Sequence, residues 1–143
     1  FKENRIEELP NLGKREAATA RHFVAFVVER DGKFLVRQRP AGIVNAHLWE
    51  FPNYEINGDK LSPQEIFRKQ FDVEPLHLQP LRTVKHSITR YRITLRAFHV
   101  RSRKNSKRFE GKWLLPSEFD SLAFTAAHKK LASFAANCML SGR

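Results

Sequence analysis

The clearest chemical signal in this 143-residue sequence is a concentration of positive charge in one third of the chain. No Asp or Glu lies between residues 75 and 109, whereas the rest of the chain carries sixteen basic and fifteen acidic residues. Nearly all of the net charge of +11 therefore comes from one segment. Such a segment attracts a polyanion; the alternative is a solvated basic face without a partner. Its ten cations are Arg82, Lys85, Arg90, Arg92, Arg96, Arg101, Arg103, Lys104, Lys107 and Arg108.

Residue types that support other kinds of chemistry are sparse or wrongly spaced. Cys138 is the single cysteine, which excludes an internal disulfide and a cysteine-based metal site in this sequence. The six histidines show no metal-ligand spacing, and neither a glycine-rich phosphate loop nor a nucleophile elbow is present. No apolar run is long enough to cross a bilayer. We therefore expect an intracellular, soluble domain with no membrane partner, no metal site and no catalytic residue of its own.

Hydrophobic periodicity predicts the elements that would position the basic segment. Apolar runs on either side of the tight-turn pair Asp31-Gly32 predict a β-hairpin at 22–39. Ser62-Pro63-Gln64-Glu65 forms a capping box, which predicts a helix that ends by Pro75. Strands are predicted at 76–88, 91–101 and 110–115, and further helical segments at 116–119 and after Thr125.

The order of these elements predicts an α+β fold with a mixed sheet, one central helix and one C-terminal helix. In the strand 91–101 the arginines alternate with apolar residues, which predicts that Arg92 and Arg96 lie on an exposed face. Residues 1–20 are polar and lack periodicity, so we predict an interdomain linker there and a single domain at 21–143.

Several segments resemble one known family. The stretch 34–53, FLVRQRPAGIVNAHLWEFPN, and the stretch 84–95, VKHSITRYRITL, are similar to the C-terminal, Nudix-like (MutT-like) domain of MutY-type adenine DNA glycosylases. Lys112-Trp113 with Pro116-Ser117-Glu118-Phe119, and the run 126–131, AAHKKL, resemble that domain's late segments. The resemblance covers roughly 21–136 and implies a Nudix-like sandwich.

The Nudix hydrolase signature tests whether hydrolysis is also implied. Aligned at Pro52, the signature places its arginine on Arg68, but its first two glutamates fall on Lys60 and Lys69. Its acidic pair falls on Asp72-Val73. Because Mg²⁺ requires oxygen ligands, these replacements predict that the scaffold is kept and hydrolysis is lost.

The resemblance also implies roles for individual residues. The family reads 8-oxoguanine paired with adenine through a short loop, which corresponds here to Ile88, Thr89 and Arg90. By position, Thr89 keeps a hydroxyl that hydrogen-bonds the oxidised base, whereas Ile88 replaces an aromatic residue and Arg90 a histidine. The flanking residues expected to contact DNA are Lys85, His86, Ser87, Tyr91, Arg92 and Arg96.

The implied partners are double-stranded DNA with an 8-oxoguanine:adenine mispair and the protein's own N-terminal glycosylase domain. That domain would hold a 4Fe-4S cluster, and no cofactor is expected in this part of the chain. The implied setting is base excision repair in the cytoplasm or nucleoid, most readily of a bacterium. Two alternatives remain: an active Nudix hydrolase of oxidised nucleotides, and a non-specific nucleic-acid-binding or interaction module.

Overall fold

The computed structural model describes residues 18–43, 45–58, 60–102 and 105–141. Residues 1–17 of the predicted linker lie outside this part of the chain. The strands are β1 (Thr19–Arg30), β2 (Lys33–Gln38), β3 (Trp49–Glu50), β4 (Asn53–Glu55), β5 (Leu76–Ile88), β6 (Tyr91–Arg101) and β7 (Lys112–Leu114). The helices are α1 (Pro63–Phe71), a 3-10 helix (Pro116–Ser121) and α2 (Ala126–Ser141).

The described strands form one mixed sheet in the order β3-β2-β1-β6-β5, with β4 paired to β1 and β7 paired to β2. β1 runs parallel to β6 from Thr19 to Glu29, and the other pairs are antiparallel. The parallel pair explains why β1 takes in the last two residues of the predicted linker: Thr19 lies opposite Tyr91.

Helices cover the two faces of the sheet. On one face α1 packs Phe67 and Phe71 against Phe26, and the Phe26 and Phe67 rings meet edge to face at 5.2 Å. On the other face α2 packs Leu131 into a cluster that includes Phe51. This arrangement confirms the predicted α+β sandwich with one central and one C-terminal helix.

The capping box at Ser62 is present as predicted. The Ser62 hydroxyl accepts from the Glu65 amide at 3.2 Å, and the Glu65 carboxylate accepts from the Ser62 amide at 2.8 Å. α1 ends at Phe71, earlier than Pro75 requires, because Asp72 adopts a left-handed conformation with φ 58° and caps the helix. None of the helices in the described ranges is both long and apolar enough to cross a membrane.

Candidate functional site

The loop predicted to read the oxidised base, Ile88, Thr89 and Arg90, lies at the tight turn between β5 and β6. β5 and β6 pair from Ile88↔Tyr91 inward, so Thr89 and Arg90 form the exposed tip of the hairpin. The Thr19 amide donates to the Arg90 carbonyl at 2.9 Å, which joins the tip to β1. The tip is therefore held by three strands although it projects from the sheet.

Thr89 has an unusual backbone conformation. Its φ is +51°, in the left-handed region that β-branched residues rarely adopt. Its Oγ1 donates a hydrogen bond to the Ile88 carbonyl at 2.7 Å. Because a carbonyl can only accept, the hydroxyl proton is engaged and the oxygen lone pairs remain available at the tip.

The structure divides the other predicted DNA contacts between the two faces of the sheet. His86 lies opposite Ile93, and Ile88 opposite Tyr91, on the face that α2 covers. The other predicted contacts lie on the opposite face, which α1 covers farther along the strands; they are Lys85, Ser87, Arg92 and Arg96. The pairs on that face are Ser87↔Arg92, Lys85↔Thr94 and Thr83↔Arg96. The predicted residues are therefore close in space, but they cannot all contact one flat surface.

A cleft of about 550 Å³ opens beside the hairpin on the α2 side. Its rim includes Ile88, Thr89 and Tyr91, and its walls come from β1, the segment 39–53 and the start of α2. Sequence reasoning missed most of its lining because these residues are far apart in the chain. The missed polar residues are Arg21, Arg39, Asn45, Glu50, Asn53, Thr125 and His128.

Paired charges line the cleft. Arg21 forms a two-pronged ion pair with Glu55, with Nε to Oε2 at 2.8 Å, and its guanidinium lies 4.9 Å from the Tyr91 ring centroid. The hydrogen bond from Arg21 lowers the pKa of the Glu55 carboxyl. The buried Glu50 carboxylate accepts from Arg39 at 2.8 Å, and Arg37 lies 3.7 Å away.

Two histidines complete the cleft, and both have lowered pKa values. His128 is 5% exposed, and its Nδ1 accepts from the Phe51 amide at 3.0 Å. Burial, with smaller contributions from Arg39, His86 and Arg37, lowers the pKa of His128 to about 3. Burial and then Lys130 also lower the pKa of His86, whose Nδ1 is the one buried side-chain polar atom without a partner in the described ranges.

The residues at the signature positions do not fit a magnesium site. Arg68 donates from Nε to Glu74 at 2.9 Å, and Lys69 is exposed beside it on α1. Asp72 supplies one exposed carboxylate at the end of the helix. Among the described residues no group of three or more histidine, cysteine or carboxylate side chains is placed to hold a metal ion. One carboxylate beside lysines does not form an Mg²⁺ donor set.

Comparisons with known proteins agree with this fold. The NUDIX domain family matches residues 23–133. The CTP pyrophosphohydrolase of Escherichia coli K12 is 32% identical over 80 residues, 54% of this chain and 59% of that protein, so the chain matches about three fifths of that relative's length.

Two solved structures are also similar. The solution structure of the E. coli ORF135 protein aligns at TM-score 0.67 and 25% identity, over 94% of this chain and 98% of that one. The C-terminal domain of mouse MUTYH, crystallised with human PCNA, aligns at TM-score 0.66 and 24% identity, over 85% of this chain and 90% of that domain. At 24% identity, the likeness to the MUTYH domain shows a shared fold and nothing more.

Proposed function

The chain belongs to the NUDIX domain family, and from this premise we propose that it is a NUDIX domain that reads a damaged base instead of hydrolysing a nucleotide. Its ligand would be duplex DNA that carries 8-oxoguanine opposite adenine. It would serve an adenine DNA glycosylase whose catalytic domain, with the implied 4Fe-4S cluster, lies elsewhere in the same polypeptide.

The residues at the positions of the hydrolase signature support a function without hydrolysis. A NUDIX hydrolase uses glutamates to hold Mg²⁺ against the negative charge of a pyrophosphate. Here Lys60 and Lys69 occupy two of the glutamate positions, although Arg68 matches the arginine of the signature. Each lysine removes an oxygen ligand and adds repulsion toward the metal. In this proposal the scaffold binds a ligand, and the signature positions lack the carboxylates that hydrolysis would need.

The observation that carries the proposal is the conformation of Thr89. A turn that served folding alone would favour Gly or Asn at φ +51°, because a β-branched side chain is strained there. Strain of this kind costs on the order of 1–3 kcal/mol and is concentrated at functional sites. A threonine at the exposed tip is therefore best explained by a role for its side chain.

The hydrogen bond made by Thr89 suits it to 8-oxoguanine. Since its proton is donated to Ile88, the hydroxyl presents acceptor lone pairs outward. 8-Oxoguanine carries an N–H at N7, which can donate to such a group. Guanine has an acceptor at N7 and would face the same oxygen with the wrong polarity. In this proposal, the orientation of the hydroxyl in the free domain is the one that the oxidised base requires.

The neighbours of Thr89 have supporting roles in this proposal. Ile88 is half-buried at the rim of the cleft and would act as an apolar wedge beside the base step. Arg90 is exposed next to Thr89 and would contact a flanking phosphate. The glycosylase domain would extract the mispaired adenine while the hairpin holds the lesion strand.

Thr89→Ala should reduce the preference for 8-oxoguanine:adenine over guanine:adenine duplexes about tenfold, the effect expected for losing one neutral hydrogen bond at a discriminating site. Binding to the undamaged duplex should change less than twofold. The measurement is a titration of both duplexes by fluorescence anisotropy. Thr89→Ser is the matched control, because it keeps the hydroxyl and removes only the methyl group.

Amide NMR spectra of the same titrations locate the contact. Shifts at His86, Thr89 and Tyr91 that appear only with the oxidised duplex are the expected result. Equal weakening of both duplexes by Thr89→Ala, or loss of preference in Thr89→Ser as well, would refute a base-reading role for this hydroxyl.

A second candidate function is nucleotide binding in the cleft. The cleft volume of about 550 Å³ and the similarity to a CTP pyrophosphohydrolase favour it. Because α1 lacks the Mg²⁺ ligands, we expect no release of phosphate or pyrophosphate from CTP or 8-oxo-dGTP at millimolar Mg²⁺, under conditions where the E. coli enzyme is active. Metal-dependent turnover that survives repurification would instead make the chain a hydrolase.

A further inference from the structure

One face of the hairpin carries cations that have no carboxylate partners. Several arginines elsewhere are paired with carboxylates, as in Arg21 with Glu55, Arg39 with Glu50, and Arg68 with Glu74. Lys85, Arg92 and Arg96 are exposed, and no carboxylate in the described ranges lies within 4.0 Å of any of them. These three cations are close enough to repel one another, so a bound polyanion would stabilise the face.

The strand register assembles these cations into a continuous surface. β1, β6 and β5 lie side by side, so His22, Thr94 and Lys85 form one row across the sheet. Arg92 and Ser87 form the adjacent row, and Arg96 begins the next. We define this surface as the basic face; it comprises His22, Lys85, Ser87, Arg92, Thr94 and Arg96. None of these positions is acidic.

The basic face is separate from the cleft. Arg96 lies opposite Val24, which is buried beneath α1, so the basic face is the uncovered continuation of the α1 side of the sheet. The cleft opens on the α2 side, where His86 and Tyr91 lie. The two surfaces meet near the hairpin tip, where Ser87 of the basic face also borders the cleft beside Thr89.

The dimensions and chemistry of the basic face suit a phosphate backbone. Side chains on the same side of β6 are about 6.7 Å apart, and neighbouring strands are about 4.8 Å apart. The Arg96 guanidinium lies over the Phe98 ring at 5.4 Å, which fixes its stem at the edge of the core. Hydroxyls from Ser87 and Thr94 alternate with the cations and can donate to phosphate oxygens.

We infer that the basic face binds the sugar–phosphate backbone of duplex DNA, and that the cleft side of the hairpin does not. This inference deepens the proposed function and rests on it for the identity of the polyanion. It gives the predicted DNA-binding residues two different roles: Lys85, Ser87, Arg92 and Arg96 contact phosphates, whereas His86 and Tyr91 support the tip from the cleft side.

The test compares two triple variants that remove the same charge from opposite sides of the sheet. Lys85→Gln/Arg92→Gln/Arg96→Gln removes the cations of the basic face. Lys112→Gln/Lys129→Gln/Lys130→Gln removes three exposed lysines on the α2 side of the sheet, two of them on α2 and one on β7 opposite Val36. The slope of log K against log salt is measured for the full 143-residue chain with oxidised and undamaged duplexes.

The basic-face variant should lower the magnitude of the salt slope by about 2 to 3 on both duplexes, since each lost phosphate contact contributes about 0.9. The α2-side variant should lower it by less than 1. Thermal melting of each variant checks the fold, and single Arg92→Glu, which should weaken both duplexes at least tenfold, provides a test that disturbs packing less.

The possible outcomes separate this inference from the proposed function. A larger slope change in the α2-side variant, or equal changes in the two variants, would contradict phosphate binding by the basic face. If the salt slope falls in the basic-face variant but the parent chain shows no preference for the oxidised duplex, phosphate binding by the basic face is supported and the proposed function is refuted. If the parent prefers the lesion but the slope is unchanged in the basic-face variant, the function stands and the surface is refuted.

Discussion

Gly111→Ala is expected to destabilise the domain by roughly 3 kcal/mol or more, because both the backbone conformation and the available space require glycine. Gly111 has φ +138°, a value that side-chain-bearing residues rarely adopt. A Cβ placed there would lie 2.2 Å from the Val36 carbonyl oxygen and 3.3 Å from the Arg37 Cβ. The close approach occurs where β7 meets β2, with Lys112 opposite Val36. Backbone atoms cannot move aside without breaking that pairing.

The chain offers matched controls for the two causes of this effect. Gly42 and Gly58 also have positive φ, +90° and +78°, but a Cβ at either position would meet no atom within 4 Å. Gly42→Ala and Gly58→Ala should therefore cost only the conformational strain, about 1 kcal/mol. Urea unfolding measures all three variants. Equal losses would show that the contact between Gly111 and Val36 is not maintained in solution.

The local elements of this fold were predictable because their signals lie in adjacent residues. The capping box fixed the start of α1, and the predicted bounds of β5 and β6 match the structure, although register shifts between Leu76 and Arg82 interrupt the alternation in β5. The short strand β3 and the extension of β1 to Thr19 were not predictable, because each depends on pairing with another strand and carries no pattern of its own. β3 exists through its pairing with β2, and Thr19 is held by Arg90.

The candidate site was predictable only in part for the same reason. The basic segment and the hydroxyl of Thr89 are visible in the sequence, but the φ of Thr89 is set by how three strands meet. Neighbouring residues in a strand point to opposite faces of the sheet. This rule, applied to Lys85 and His86, would have predicted that Lys85 lies on the basic face and His86 on the side of the cleft. The role of His128 has no sequence signal, since its hydrogen-bond partner Phe51 is 77 positions away.

His128 is expected to make the stability of the domain depend on pH. Its pKa is about 3 in the folded protein, below the ordinary value of 6.5 that the unfolded chain would have. Between these two values the unfolded state binds a proton that the folded state does not, so stability is full above pH 6.5 and falls as the pH is lowered toward 3. The slope from this residue is about 1.4 kcal/mol per pH unit.

His128→Asn isolates this contribution, because an asparagine oxygen can replace Nδ1 as acceptor for the Phe51 amide but does not titrate in this range. The free energy of unfolding of the parent should fall by about 2 kcal/mol more than that of the variant between pH 6.5 and 5. Glu55 contributes little to the pH dependence of stability in this window, because its carboxyl, whose pKa is lowered by Arg21, is largely ionised there in both the folded and the unfolded state. His128→Ala should lose about 1–3 kcal/mol even at pH 7, since it leaves the Phe51 amide without an acceptor.

The same measurement bears on the cleft, because Phe51 follows Glu50, and His128 itself lines the cavity. Protonation would place a cation beside Arg39 and remove the acceptor that holds the Phe51 amide, directly after β3, against α2. We therefore expect cleft amides to broaden or shift in NMR spectra over the pH range where parent stability falls, while Thr83 and Arg96 on the opposite face stay unchanged. Parallel stability curves for the parent and His128→Asn would mean that the imidazole titrates normally and that the cleft is open to water at this point.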